Sequence, residues 1–237
     1  MMDEIVKANV RRYESSVVTN YSKEPLHAIR FGIVAEYVDS EIAHRSGIVS
    51  IAELAPGGVY IVDRLAAGSE RYEYVGIDAA KVDSGKRIMQ ADLTKTWPLE
   101  DNAVDVLVAL EIIEHVFDTS RFLSEIRRVL RPGGMVVIST PNLASLQDRI
   151  GFLAGRAPRQ TSPLHEYLKL HIRPFTLGSL RESLGAFGLK VEAQRSNAII
   201  WRSRKRAILL WKRPPRFLTG IGNALIVSAR LSSVGPA

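Results

Sequence analysis

Apolar residues recur at Ile29, Ile33, Val34, Tyr37, Val38 and Ile42, the spacing of one helical face, and predict an amphipathic helix from Pro25 to Arg45. Gly47 stops it. The pattern then changes to short, continuous apolar runs. Ile48–Leu54 (IVSIAEL) leads into Pro-Gly-Gly, and Tyr74–Ile77 (YVGI) ends at Asp78. Arg87–Ala91 is weaker and ends at Asp92, and Val104–Leu110 (VDVLVAL) ends at Glu111. Met135–Ser139, Leu189–Ala193 and Ala224–Ala229 follow. Runs of this length with few polar breaks suit strands buried on both faces of a mostly parallel sheet.

Helical patterns lie between the runs. In Thr119–Leu130, the residues Phe122, Leu123, Ile126, Val129 and Leu130 share a face, and Arg131-Pro132-Gly133-Gly134 closes the segment. Thr176–Phe187 starts on a threonine suited to capping. Strand and helix alternating at this pitch predict an α/β fold with a doubly wound sheet. Residues 1–47 read as an N-terminal helical extension, and 48–237 as the α/β domain. The stretch 142–176 breaks the rhythm with Gly151, Gly155, Pro158, Pro163 and Pro174, and is expected to act as a lid.

Composition changes this picture in two places. The chain has no cysteine, which excludes disulfides, thiolate zinc sites and a cysteine nucleophile. The net charge of +7 is concentrated late: after Glu192 there is no acid, and nine Lys and Arg residues follow. Segment 199–217 (IIWRSRKRAILLWKRPPRF) interleaves those cations with Trp201, Ile208, Leu209, Leu210 and Trp211. It reads as a connector between strands 6 and 7, as a surface for an anionic membrane, or as a receiver of a lipid-linked or phosphorylated acceptor. One short basic segment argues against nucleic acid as partner. No apolar run reaches the roughly 18 residues of a membrane span and the first residues are charged, so the expected location is cytoplasmic, with a membrane-peripheral option.

In doubly wound sheets, ligands bind beyond the carboxyl ends of the strands. Four strand ends here carry an acid: Glu53, Asp78, Asp92 and Glu111. The turn Ala55-Pro56-Gly57-Gly58 has little bulk, so its backbone can approach a ligand. A strict G-x-G-x-x-G is absent, which counts against a nicotinamide dehydrogenase. Asp78 follows Gly58 by 20 residues, the place of an acid that bonds ribose hydroxyls or caps the next element. Asp92 can accept from an adenine amino group or form a turn. Glu111, Glu114 and His115 could supply a general base, a divalent-metal site or a loop cap.

The stretch Trp97–Asn142, with Pro98-Leu99-Glu100-Asp101-Asn102, the acid-rich end of strand 4, Leu130-Arg131-Pro132-Gly133-Gly134 and Thr140-Pro141-Asn142, resembles the class I S-adenosylmethionine (SAM) dependent methyltransferases. The subgroup it resembles most contains ubiquinone-type O-methyltransferases and glycan-cluster methyltransferases. His171–Val191 is similar to it too, and the resemblance runs from about residue 48 to 195. It implies a Rossmann-like seven-stranded sheet, helices on both faces, with strand 7 antiparallel between strands 5 and 6. It implies SAM as cofactor, with Glu53, Ala55 and Gly57 facing its methionine part and Asp78 its ribose. Asp92 and Leu93 would meet the adenine, and Leu110 and Glu111 would border the methyl donor. Ala55 and Val59 stand where the family has its first and third glycines. The implied reaction is methyl transfer to a small hydroxyl-bearing acceptor: a sugar, a lipid-linked glycan or a quinone-like phenol. His115 is the candidate base and His171 the other candidate; no resident metal is expected. The altered loop also admits an inactive methyltransferase fold serving as a binding scaffold.

Overall fold

The computed structural model of the chain describes residues 25–80, 85–162, 170–202 and 206–232. The helical character expected for residues 1–24 falls outside them. Helix α1 spans Pro25–His44. The sheet strands are β1 (Val49–Leu54), β2 (Tyr72–Asp78), β3 (Ile88–Gln90), β4 (Val104–Leu110), β5 (Leu130–Pro141), β6 (Leu189–Arg195) and β9 (Ala224–Leu231). Their order is β3-β2-β1-β4-β5-β9-β6. β9 runs antiparallel to both β5 and β6, while β1 to β5 pair in parallel. This is the Rossmann-like sheet with its last strand inserted between the fifth and sixth.

Successive strand residues point to opposite faces, and both faces are covered. Ile51, Val106, Val108 and Val137 pack under α1, against Ile33, Val34 and Val38. Ala52, Leu54, Leu107 and Val136 pack under α2 (Thr119–Val129) and α4 (Leu177–Ala186), against Phe122, Ile126, Leu180 and Leu184. Thr176 caps α4 in a reciprocal capping box with Ser179. In place of a helix after β1, the chain makes a short 3₁₀ turn, Ile61–Arg64.

Arg131-Pro132-Gly133-Gly134 does end α2, but it lies within β5 rather than in a separate turn. The pairing to β4 jumps from Val104↔Leu130 to Val106↔Met135 across it. Gly133 takes the excursion at φ +73°, and a Cβ on Gly134 would sit 2.8 Å from the Arg131 carbonyl. A bulge that only glycine accommodates therefore replaces the expected loop.

Apart from the helices that cover the sheet stand α3 (Leu146–Leu153) and the strand pair β7 (Ala198–Arg202) and β8 (Ala207–Lys212). α3 falls in the expected lid region. The basic segment folds into that strand pair, a hairpin that forms a separate two-stranded sheet. β7 is anchored by buried Ala198, Ile199 and Ile200, whereas every residue of β8 is exposed.

Candidate active site

The loop after β1 is sewn to the end of β2. Ala55 N–H donates to the Ile77 carbonyl at 2.7 Å, and Gly57 N–H donates to Asp78 Oδ2 at 3.0 Å. Asp78 Oδ1 also accepts from Ala80 N–H at 2.9 Å. Burial raises the Asp78 pKa, and these N–H groups pull the other way. The loop bends sharply: Ala55, Gly57 and Gly58 have φ values of +48°, +58° and +84°.

Glu53, on β1, is buried. Its carboxyl accepts from Ile61 N–H at 3.0 Å and from the Tyr74 hydroxyl at 2.8 Å. Burial dominates over these donors and pushes its pKa up to about 7. At the end of β4, Glu111 sits at φ +55°, a conformation that a β-carbon disfavours. Two side chains hold it there. Ser139 Oγ donates to Oε1 at 2.9 Å, and Arg30 Nη1 of α1 lies 3.1 Å from Oε2.

These groups converge. Arg30, Glu53, Ala55, Gly57, Leu110 and Glu111 line one cavity of about 50 Å³ at the carboxyl ends of β1 and β4, with Val59 on its wall. Five of the sequence-derived site residues are thus brought together, and Asp78 adjoins them through Gly57. Asp92 and Leu93 are not on this cavity. Asp92 Oδ1 accepts from Thr94 N–H and Oγ1 at 2.9 and 2.7 Å, a local turn. The Leu93 side chain is buried in the core and its carbonyl accepts from Trp97 Nε1.

The sequence reading passed over Arg30. Its signal was present: a cation standing among the apolar positions of α1, three residues before Ile33 and four before Val34. The cavity offers a guanidinium for a carboxylate, two carboxylates for an ammonium group and a close backbone turn. This donor set fits the amino-acid end of SAM.

Beyond Glu111 lies a second cluster. His115 Nδ1 is 3.0 Å from the Leu170 carbonyl, which can only accept, so Nδ1 carries the hydrogen and Nε2 the lone pair. Nε2 is 4.0 Å from Glu114 Oε1. Glu114 is buried, accepts from Thr140 Oγ1 at 3.0 Å, and has its pKa raised by burial and then by the nearby Glu111 charge. Burial also lowers the His115 pKa to about 4, so the ring is neutral at neutral pH. His171 packs edge-on against His115, with ring centres 4.9 Å apart, and its Nδ1 is 3.0 Å from Gln160 Oε1.

Glu114, His115 and His171 each bring a ligand atom within 4.8 Å of the others, a spacing that can hold a metal ion. The sequence trio contained Glu111 in place of His171. In the fold Glu111 turns to Arg30 and Ser139, and His171 arrives from 55 or more residues away in the chain.

Residues 52–138 match the methyltransferase domain family. A protein of Mycolicibacterium smegmatis described as a probable SAM-dependent methyltransferase is 35% identical over 162 residues, covering 66% of this chain and 58% of that protein. Residues 52–138 thus match a methyltransferase domain, and relatives the chain resembles are described as SAM-dependent. A ubiquinone biosynthesis O-methyltransferase of Rickettsia felis is 25% identical to it over 190 residues, 71% of this chain and 77% of that one. A solved structure of the Burkholderia thailandensis 1,6-didemethyltoxoflavin-N1-methyltransferase with bound S-adenosylhomocysteine shares the domain's fold. Its TM-score is 0.56 at 15% identity, and the match covers 98% of this chain and 92% of that one. The chain spans about half the length of the first curated relatives it matches. Among the described residues, no helix is long and apolar enough to cross a membrane.

Proposed function

We propose that the protein methylates a small hydroxyl-bearing acceptor, a sugar, a lipid-linked glycan or a quinone-like phenol, with His115 as general base. The observation that carries this reading is the fixed His115 tautomer: its Nδ1–H is held by the Leu170 carbonyl, which leaves the Nε2 lone pair beside Glu114. Bound SAM supplies an electrophilic methyl on a sulfonium sulfur. Arg30 would hold the carboxylate of that cofactor, and Glu53 and Glu111 its ammonium group. Asp78 takes the ribose hydroxyls, and Asp92 with the Leu93 backbone takes the adenine. His115 Nε2 would accept the acceptor's hydroxyl proton, and SAM, when bound, would supply the methyl group that replaces it. Glu114 steadies the resulting imidazolium, and His171 holds the ring in place. The described parts of 142–176 (142–162 and 170–176) would cover the acceptor, residues 163–169 lying outside the described residues, and β7 and β8 would rest on an anionic membrane surface.

A specific observation favours a second reading. The Glu114, His115 and His171 spacing suits a divalent ion, which would orient the acceptor oxygen in place of a histidine base.

The deciding experiment is calorimetric titration of the purified protein with SAM and S-adenosylhomocysteine, followed by methyl transfer to sugar and phenol acceptors with and without a chelator. Micromolar binding that Asp78→Ala abolishes supports the reading. Unchanged affinity in that variant would sink the site assignment. Absence of binding in the unaltered chain would leave a scaffold built on the fold.

A further inference from the structure

A second cavity, of about 580 Å³, lies between α3 and the β7–β8 hairpin, away from the cleft at β1 and β4. Among the described lining residues its charge is mostly positive. Arg156 and Arg159 of the segment after α3 line it, as do Arg202, the last residue of β7, and Arg206, which precedes β8. Among the described lining residues Asp148 is the carboxylate, and it accepts from Ser145 Oγ and from Arg159 N–H at 2.9 Å. Four arginines on the described lining of one space are residues of the type that binds phosphate oxygens.

The walls are joined by specific bonds. Gln147 of α3 pairs with the backbone of Arg202: its Oε1 accepts from Arg202 N–H at 2.8 Å and its Nε2 donates to the Arg202 carbonyl. A side-chain amide thereby continues the β7 ladder and fixes α3 against the hairpin.

Both walls run on into exposed apolar surface. Ile208, Leu209, Leu210 and Trp211 are consecutive in β8, and each is about half exposed. Neighbours in a strand point to opposite faces, so apolar side chains leave both faces of this edge strand for solvent. On the other wall, Ile150 lines the cavity, and Phe152 and Leu153 beyond it are exposed, Leu153 to 89%. Cations inside and hydrocarbon at the rim are the complement of a phosphate on an apolar chain.

The cavity also reaches the proposed base. Gln160 lines it, and Gln160 Oε1 accepts from Nδ1 of His171, which packs on His115.

We propose that this cavity is the headgroup subsite of the acceptor, binding the phosphate or diphosphate of a lipid-linked molecule whose hydrocarbon chain lies along β8. It rests on the methyl-transfer reading above for the identity of the occupant as acceptor. Within that reading it selects the lipid-linked class over free sugars and phenols.

The test is titration of the full chain with farnesyl diphosphate, inorganic diphosphate and farnesol, each with S-adenosylhomocysteine binding measured alongside. Farnesyl diphosphate is expected to bind about tenfold or more tightly than either half alone. The double variant Arg156→Gln/Arg206→Gln should weaken it by about tenfold or more. Leu209→Ser/Leu210→Ser should weaken farnesyl diphosphate and leave inorganic diphosphate unchanged. S-adenosylhomocysteine affinity should stay constant in both. Equal binding of farnesyl diphosphate and inorganic diphosphate would assign the cavity to free phosphate and overturn the lipid proposal. Binding insensitive to the arginine exchange, or arginine-dependent binding of an RNA oligonucleotide with none of farnesyl diphosphate, would overturn it as well. Loss of S-adenosylhomocysteine binding in the unaltered chain would instead count against the methyl-transfer reading, while the diphosphate titrations still decide the cavity.

Discussion

Arg30 on α1 and Glu111 at the end of β4 form a buried ion pair at 3.1 Å across the mouth of the cleft. The pair joins an element outside the α/β alternation to the strand end nearest the proposed chemistry. It also holds Glu111 at a positive φ that the backbone alone would not choose.

Replacing Arg30 should therefore be costly. Arg30→Met leaves the Glu111 carboxylate in a buried site without its guanidinium, and is expected to cost about 3 kcal/mol. Denaturant unfolding measures this. The double variant Arg30→Met/Glu111→Gln should regain a large part of the loss. A double variant as unstable as the single one would show that Arg30 acts through packing and not through Glu111.

Ala55 carries a β-carbon at φ +48°, where a glycine would sit without strain. Ala55→Gly should raise stability by roughly 1 kcal/mol. It should also leave more room for a ligand against the loop, so S-adenosylhomocysteine should bind no more weakly. A lower unfolding midpoint for the glycine variant would contradict the strain argument.

Glu53 makes a pH-dependent contribution of definite sign. Its folded pKa of about 7 lies above the ordinary 4.5, so between those values the folded chain holds a proton that the unfolded chain has released. Stability from this group therefore falls as pH rises from about 4.5 to 7 and is flat above; the total is roughly 3 kcal/mol. In Glu53→Gln that fall should vanish. Unfolding free energies of the two proteins at about pH 5 and pH 8 should converge or cross in favour of the variant at the higher pH. A difference independent of pH would rule out a neutral Glu53. If the carboxylate meets the cofactor's ammonium group, binding should also release a proton near neutrality, which calorimetry in two buffers detects.

His115→Gln should lower methyl transfer by about 10²–10⁴ while S-adenosylhomocysteine affinity is retained, because the base acts on the acceptor and not on the cofactor. His171→Asn should lower it less, since His171 orients the ring. The reverse order would make His171 the base. A loss of cofactor affinity in His115→Gln would place that residue in the binding cleft instead.

Much of the frame was legible because it depends on local pattern. The β4 boundaries at Val104 and Leu110, the start of α2 at Thr119 and the Thr176 cap all follow from apolar periodicity and capping chemistry. The strand-end positions of Glu53, Asp78 and Glu111 were legible for the same reason. The hairpin was not, since consecutive apolar residues such as Ile208–Trp211 carry no period that distinguishes a strand from a connector. The place of Gly133 and Gly134 inside β5 was hidden because a bulge depends on the partner strand.

The sequence by itself determined the doubly wound class, the acids at the strand ends and the late concentration of positive charge, because each is a property of neighbours along the chain. The tertiary structure decided which of those groups meet. It turned Glu111 away from His115 and toward Arg30, brought His171 in its place, and set four arginines around one cavity beside Gln160. Those pairings join residues far apart in the chain. Burial, which sets their charge states, exists only once the elements have packed.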